Sequence, residues 1–131
     1  MIKKRLLNAQ RVRRIEGGFS FIPHRFLADG FLPSLGQKEF LLYMFLVLVA
    51  DRQGLSFYSY DSICSLLQLS LDQYIESRDS LIDKDLIAFD GTIFQVLELP
   101  SKPKDNTRMK QDPAVIAQQI RQSLNEAKDA R

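Results

Sequence analysis

Eleven consecutive residues, Phe40 to Ala50, are apolar. A helix over about Gln37 to Asp51 would be apolar on every face, so it must be covered all round, by its own chain or by a partner. The N-terminal segment is the expected lid within one chain, and a homodimer through this helix is the other solution. Ser34 with Gln37 three residues on predicts a capping box at its start. Beyond Gln53-Gly54, Leu55 to Tyr58 alternates as a short strand. Ser59 caps a second helix, Tyr60 to Leu67, with Ile63, Leu66 and Leu67 facing inward. Gln68-Leu69-Ser70 makes a tight turn, and Ser70 with Gln73 forms another capping box that opens a third helix to about Lys84. Leu71, Tyr74, Ile75, Arg78, Leu81 and Ile82 recur there at helical spacing and should face the core. Two β-rich runs, Leu86 to Phe89 and Thr92 to Leu97, flank Asp90-Gly91, which predicts a hairpin with a two-residue primed turn.

The flanks are patterned differently. Residues 1–18 mix Leu6, Leu7, Val12 and Ile15 with cations and end at Gly17-Gly18, which marks them as an N-terminal arm. Phe19 to Pro23 reads as extended, since a residue before proline is pushed out of the α region. A short helical turn from His24 to Asp29 follows, stopped by Gly30. Residues 19–100 form the folded domain, and 101–111 are polar and read as a linker. Residues 112–131 offer Asp112-Pro113 as a cap and first-turn proline for a final helix. Its stripe of Ile116, Ile120 and Leu124 is narrow and needs a neighbour, within the chain or in a second copy.

Helix, short strand, helix, tight turn, helix and hairpin is the order of a winged helix, a helix-turn-helix variant with a β-hairpin appended. The expected class is therefore α+β, mostly α. Three stretches carry a resemblance: Phe-Ile-Pro-His-Arg-Phe-Leu at 21–27, the run at 41–59, and Leu-Ile-Asp-Lys-Asp-Leu-Ile-Ala at 81–88. With these the chain resembles, over about residues 21–98, winged-helix domains of bacterial plasmid and phage replication initiators and related helix-turn-helix proteins. The resemblance implies DNA binding, with the third helix entering the major groove. It also implies an accessory of replication or transcription; a cytoplasmic location is the default expectation for a chain without a visible signal pattern or membrane span.

Composition sharpens this picture. The chain has 131 residues, 45% hydrophobic and 26% charged, so one globular domain is expected. One cysteine excludes a disulfide framework within the chain. The longest apolar run is too short for a membrane span, and no secretory signal pattern is visible at the N-terminus. The net charge of +2 conceals a segregation: residues 1–25 carry seven basic groups against Glu16 alone, and residues 26–100 carry four basic against eleven acidic. Residues 101–131 return to seven basic against four acidic. Basic arms flanking an acidic body attract polyanions, nucleic acid first.

Candidate DNA-binding residues are Lys3, Lys4, Arg5, Arg11, Arg13 and Arg14 in the arm, with Lys102 and Lys104 (and beyond them Arg108 and Lys110) after the hairpin. On the third helix the expected outward positions are Asp72, Gln73, Glu76, Ser77, Asp79, Ser80 and Asp83. Gln73 suits an adenine edge, and Ser77 suits a phosphate. Four of these seven are acidic, a departure from the pattern the resemblance implies. The alternative is a protein-interaction module using that acidic face. No catalytic constellation is visible. His24 stands alone, Cys64 is expected to be a buried inert thiol, and no phosphate-cradling glycine loop or metal-ligand spacing exists. A non-enzyme without cofactor or metal is expected.

Overall fold

The computed structural model describes residues 2–104. The final helix expected at 112–131, most of the linker at 101–111, Arg108 and Lys110 lie outside the described residues. The elements are α1 (Arg25–Ala28), α2 (Gln37–Val49), β1 (Leu55–Ser56), α3 (Tyr60–Leu67), α4 (Leu71–Asp83), β2 (Ile87–Phe89) and β3 (Phe94–Val96). The strands form one antiparallel sheet in the order β1-β3-β2, with Leu55 opposite Gln95 and Phe89 opposite Phe94. This is an α+β winged helix.

Local signals place α3 and α4 where the sequence does. The Ser59 hydroxyl accepts from the Ser62 amide, and Ser70 and Gln73 exchange a full capping box. Between the helices, Gln68 takes the left-handed conformation (φ 58°, ψ 46°) and its amide bonds back to the Cys64 carbonyl. That conformation is uncommon for a residue with a Cβ, and it turns the chain sharply enough for α4 to cross α3.

Helix α2 starts two residues later than the Ser34 capping box predicts. Gly36 is the N-cap, and Glu39 Oε1 accepts from its amide at 2.7 Å. Pro33 has drawn Ser34 into a 3-10 turn, where its hydroxyl donates to the Phe31 carbonyl. The core is built on α2: Leu42, Tyr43, Leu46 and Val47 meet Ile63 of α3, Tyr74 and Leu81 of α4, and Leu86, Ile87 and Phe94 of the hairpin. Phe26 of α1 stacks on Tyr43 at 5.2 Å and on Phe31 at 6.3 Å, so the segment before α2 caps one end of the core.

The expected lid is absent. Residues 2–19 are exposed throughout, and Leu41 and Leu48 of α2 remain exposed as well. Ser20 reaches this helix, its hydroxyl donating to the Leu48 carbonyl at 3.4 Å, and beyond it Phe26 covers the first turns. The apolar run is thus buried on most of its circumference by α3, α4 and the sheet, with one stripe left outside. Phe57 and Tyr58 are also exposed, because β1 ends at Ser56.

The hairpin turn sits where Asp90-Gly91 predicts, in a different geometry. Phe89 pairs with Phe94, which leaves a four-residue loop, and only Gly91 takes positive φ (100°). The Asp90 carboxylate accepts from the Thr92 and Ile93 amides at 2.8 and 2.7 Å, so the side chain organises the turn in place of a second positive φ. Those two amides, Ile93 first, hold the Asp90 carboxyl below its ordinary pKa.

Candidate nucleic-acid interface

Helix α4 packs along α2 through Tyr74, Ser77 and Leu81, and this sets the phase of everything it shows to solvent. Ser77 is therefore buried, not outward, and it cannot reach a phosphate. Asp79, Ser80 and Asp83 are half-buried instead of facing solvent. Leu71, expected inside, is 50% exposed at the first turn of α4, and Leu66 of α3 is exposed too. Ile75 and Ile82 pack against the edge of the core without full burial. The exposed face of α4 consists of Leu71, Asp72 and Glu76, with Gln73 half-buried beside them. Gln73 Oε1 is committed to the Ser70 amide, so its amide nitrogen is the part left to meet a base edge.

Several cations of the domain are engaged, while Lys38 and Arg52 are exposed. Arg78 lies over the rings of Tyr74 and Phe89, at 5.6 and 5.4 Å to the centroids, and pairs with Asp79 at 3.0 Å. Lys84 is buried, donating to Glu39 Oε1 and to the Ser34 carbonyl at 2.7 Å each. Arg25 donates to the carbonyls of Leu99, Pro100 and Ser101 while pairing with Asp29. Lys104 reaches Asp85 at 3.2 Å, and Lys102 is exposed. Periodicity places Arg78 correctly on the inner side of α4. Its ring contacts, and the Arg25 and Lys84 bonds, join residues too distant in sequence for a local signal; the i,i+4 spacing of Arg25 and Asp29 was the one available hint.

The arm is different. Lys3, Lys4, Arg5, Arg11, Arg13 and Arg14 are all exposed. A 3-10 turn, Ala9–Arg11, is capped by the Asn8 side chain, and Arg14 pairs with Glu16 at 2.8 Å in full solvent. The surface thus divides into a cationic arm, an acidic-to-neutral α4 face carrying Asp72 and Glu76, and a wing tip (Asp90, Gly91, Thr92) without a cation. The α4 carboxylates would repel a phosphate backbone, whereas the arm presents six exposed cations.

His24 is exposed at the start of α1, and Cys64 is half-buried, its thiol directed at the Ser70 carbonyl at 3.8 Å. Among the described residues, no three His, Cys, Asp or Glu side chains are placed to hold a metal ion. No helix among them is long and apolar enough to cross a membrane.

Comparison with protein families matches residues 34–87 to a helix-turn-helix domain. The match runs from just before α2 to the start of β2, so it covers α2, β1, α3, the turn and α4. It concerns the helix-turn-helix domain in general and carries no specific likeness to replication initiators. No curated protein and no solved structure matches the chain. A helix-turn-helix domain points to DNA binding.

Proposed function

Residues 34–87 being a helix-turn-helix domain, we propose that the protein is a non-enzymatic DNA-binding winged helix that divides affinity and orientation between two parts. The arm supplies attraction and α4 supplies orientation. The observation that carries this reading is the separation of charge: six exposed cations on the arm, against an exposed α4 face whose charged residues are Asp72 and Glu76. Arms of this type follow phosphates or enter a minor groove, while α4 lies over the major groove and can offer Gln73 and Leu71 to base edges. An accessory role in replication or transcription of bacterial or mobile-element DNA is the biological setting this proposal adopts.

Salt-dependent anisotropy with random-sequence duplex tests it. If half of the six arm cations neutralise phosphates, log K against log salt has a slope of about −2.7 from the arm alone. Replacing Lys3, Lys4, Arg5, Arg11, Arg13 and Arg14 with Gln should remove that component and weaken binding on every sequence alike. Absence of binding to any duplex at ~50 mM salt, where screening is least, overturns the reading. It would favour the second one, in which the exposed Asp72 and Glu76 dock a basic surface of a protein partner.

A further inference from the structure

Helix α2 leaves one stripe uncovered. Gln37, Leu41, Met44 and Leu48 recur at spacings of three and four, so they share one face of the helix. Leu41 is 40% and Leu48 66% exposed, Met44 is half-buried between them, and Gln37 is exposed at the first turn. On one flank Phe45 is held edge-on by Tyr58 at 5.2 Å, and at the far end Ser20 reaches the Leu48 carbonyl. The stripe carries no charge, and its aliphatic part runs about 10 Å from Leu41 to Leu48 at the α-helical rise.

The sequence holds a second uncharged stripe. Ile116, Ile120 and Leu124 recur every four residues after the Asp112-Pro113 start signal, and on a helix they would extend over about 12 Å. A narrow stripe of this kind is stable as a helix only against a neighbour. What lies within its reach is fixed by where the described chain ends. Arg25 holds the carbonyls of Leu99, Pro100 and Ser101, and Pro103 rests against Gly30. Helix α1, which carries Arg25, is itself packed on the first turns of α2, with Phe26 at 6.3 Å from Phe40 and 5.2 Å from Tyr43. From that corner residues 105–111 can span up to ~23 Å, enough to bring Ile116 beside Leu41, with the residues after it running toward Leu48. The arm fits less well, because its apolar residues alternate with six cations that docking would carry onto an apolar surface.

We propose that the stripe made by Leu41, Met44 and Leu48 is the docking site of the chain's own C-terminal segment, residues 112–131, which lies parallel to α2 and sets Ile116, Ile120 and Leu124 against it. Since neither stripe bears a charge, the contact removes apolar surface from water without burying an ion. This site stands independently of whether the protein binds DNA.

The test uses the full chain with labelled methionine, isoleucine and leucine methyl groups. Ile120→Asp, outside the described residues, should move the Met44 methyl signal. Reciprocally, Leu48→Lys, at an exposed position that leaves the core intact, should bring the Ile120 and Leu124 methyl signals to random-coil positions. The Ile87 methyl signals, from a fully buried position in the hairpin, should stay in place in both variants and report a folded domain. The wild-type chain should sediment as a monomer. A Met44 signal left in place by Ile120→Asp overturns the proposal. So does a wild-type dimer that Leu48→Lys converts to monomers, which would assign the stripe to a second copy of the chain.

Discussion

Gly54 holds the sheet to the end of α2, and replacing it with Ala should damage the protein out of proportion to one added methyl group. Two effects combine. Gly54 has φ of 86°, a region that L side chains rarely adopt, and holding a non-glycine residue in such a conformation costs about 1–3 kcal/mol. In addition, a Cβ at this position would lie 2.4 Å from the Val96 carbonyl oxygen and 3.3 Å from its amide nitrogen. Those are backbone atoms of β3, which cannot swing aside as a side-chain tip can. Relief requires moving β3 away, which stretches the 2.8 Å bond from the Val96 amide to the Gly54 carbonyl. Overpacking of this kind costs about 1–3 kcal/mol more, so Gly54→Ala should destabilise by roughly 2–6 kcal/mol. Gly91→Ala is the control: its φ of 100° imposes backbone strain, but nothing lies within 4 Å of its added Cβ. Urea denaturation of both variants, followed by circular dichroism, compares them. Gly54→Ala should lose clearly more stability than Gly91→Ala, with an unchanged m-value. Equal losses would show that β3 yields freely and that the close approach does not hold the sheet in place.

Further outcomes follow from the core, the buried ion pair and the wing. Lys84→Met should cost about 3–5 kcal/mol, because Glu39 is then left buried with an unmatched charge; adding Glu39→Gln should recover part of it, and chemical denaturation of the single and double variants checks both. Leu81→Ala, at a fully buried position, should cost about 2–5 kcal/mol. Ile75→Ala, at the edge of the core, should cost less, and a reversed order in thermal melts would refute the phase assigned to α4. Asp90 has a lowered pKa in the fold, so the stabilisation from its ionised form is present above its ordinary pKa and lost as pH falls through the lowered value. The protection factors of the Thr92 and Ile93 amides, measured against their intrinsic exchange rates, should fall as pH drops through that value, and Asp90→Asn should flatten that dependence.

What could be read from the sequence was local. Ser59 and Ser70 cap their helices within three residues, so Tyr60–Leu67 is found where it is predicted and α4 lies within a residue or so. Asp90-Gly91 marks the wing for the same reason, although the Asp90 side chain, not a second positive φ, completes the turn. Errors arose where neighbours decide. Ser77 looks solvent-facing from composition, yet it lies on the side of α4 that packs along α2 and is buried, and Asp79, Ser80 and Asp83 are half-buried. Ser34 carries the right cap chemistry, but Pro33 and the Phe31 carbonyl claim it, and Glu39 caps Gly36 instead. Of the candidate site, the exposed arm and the acidic α4 face were legible from charge counts. The Glu39–Lys84 pair, 45 residues apart, was not, because nothing in a linear pattern reports which opposite charges will meet inside.

The three carbonyls gathered by Arg25 have a mechanical consequence. Leu99, Pro100 and Ser101 are clamped to the first turn of α1, and Pro103 rests against Gly30 just after it. The chain therefore comes in and departs at one corner of the domain, and the clamp works as a shared post for two tethers. The segment before the clamp carries an excess of five positive charges, against the acidic body of residues 26–100 at −7. Because the cationic arm enters the domain at that corner, its charge is tethered to one side of an acidic body, which gives the two together an electric polarity. An approaching polyanion would be turned by that polarity, and the first contact would arrive with one orientation favoured over its opposite. Arg25→Ala would release the carbonyls of Leu99, Pro100 and Ser101 and loosen the corner from which the arm departs, blurring that orientation even with every arm cation in place.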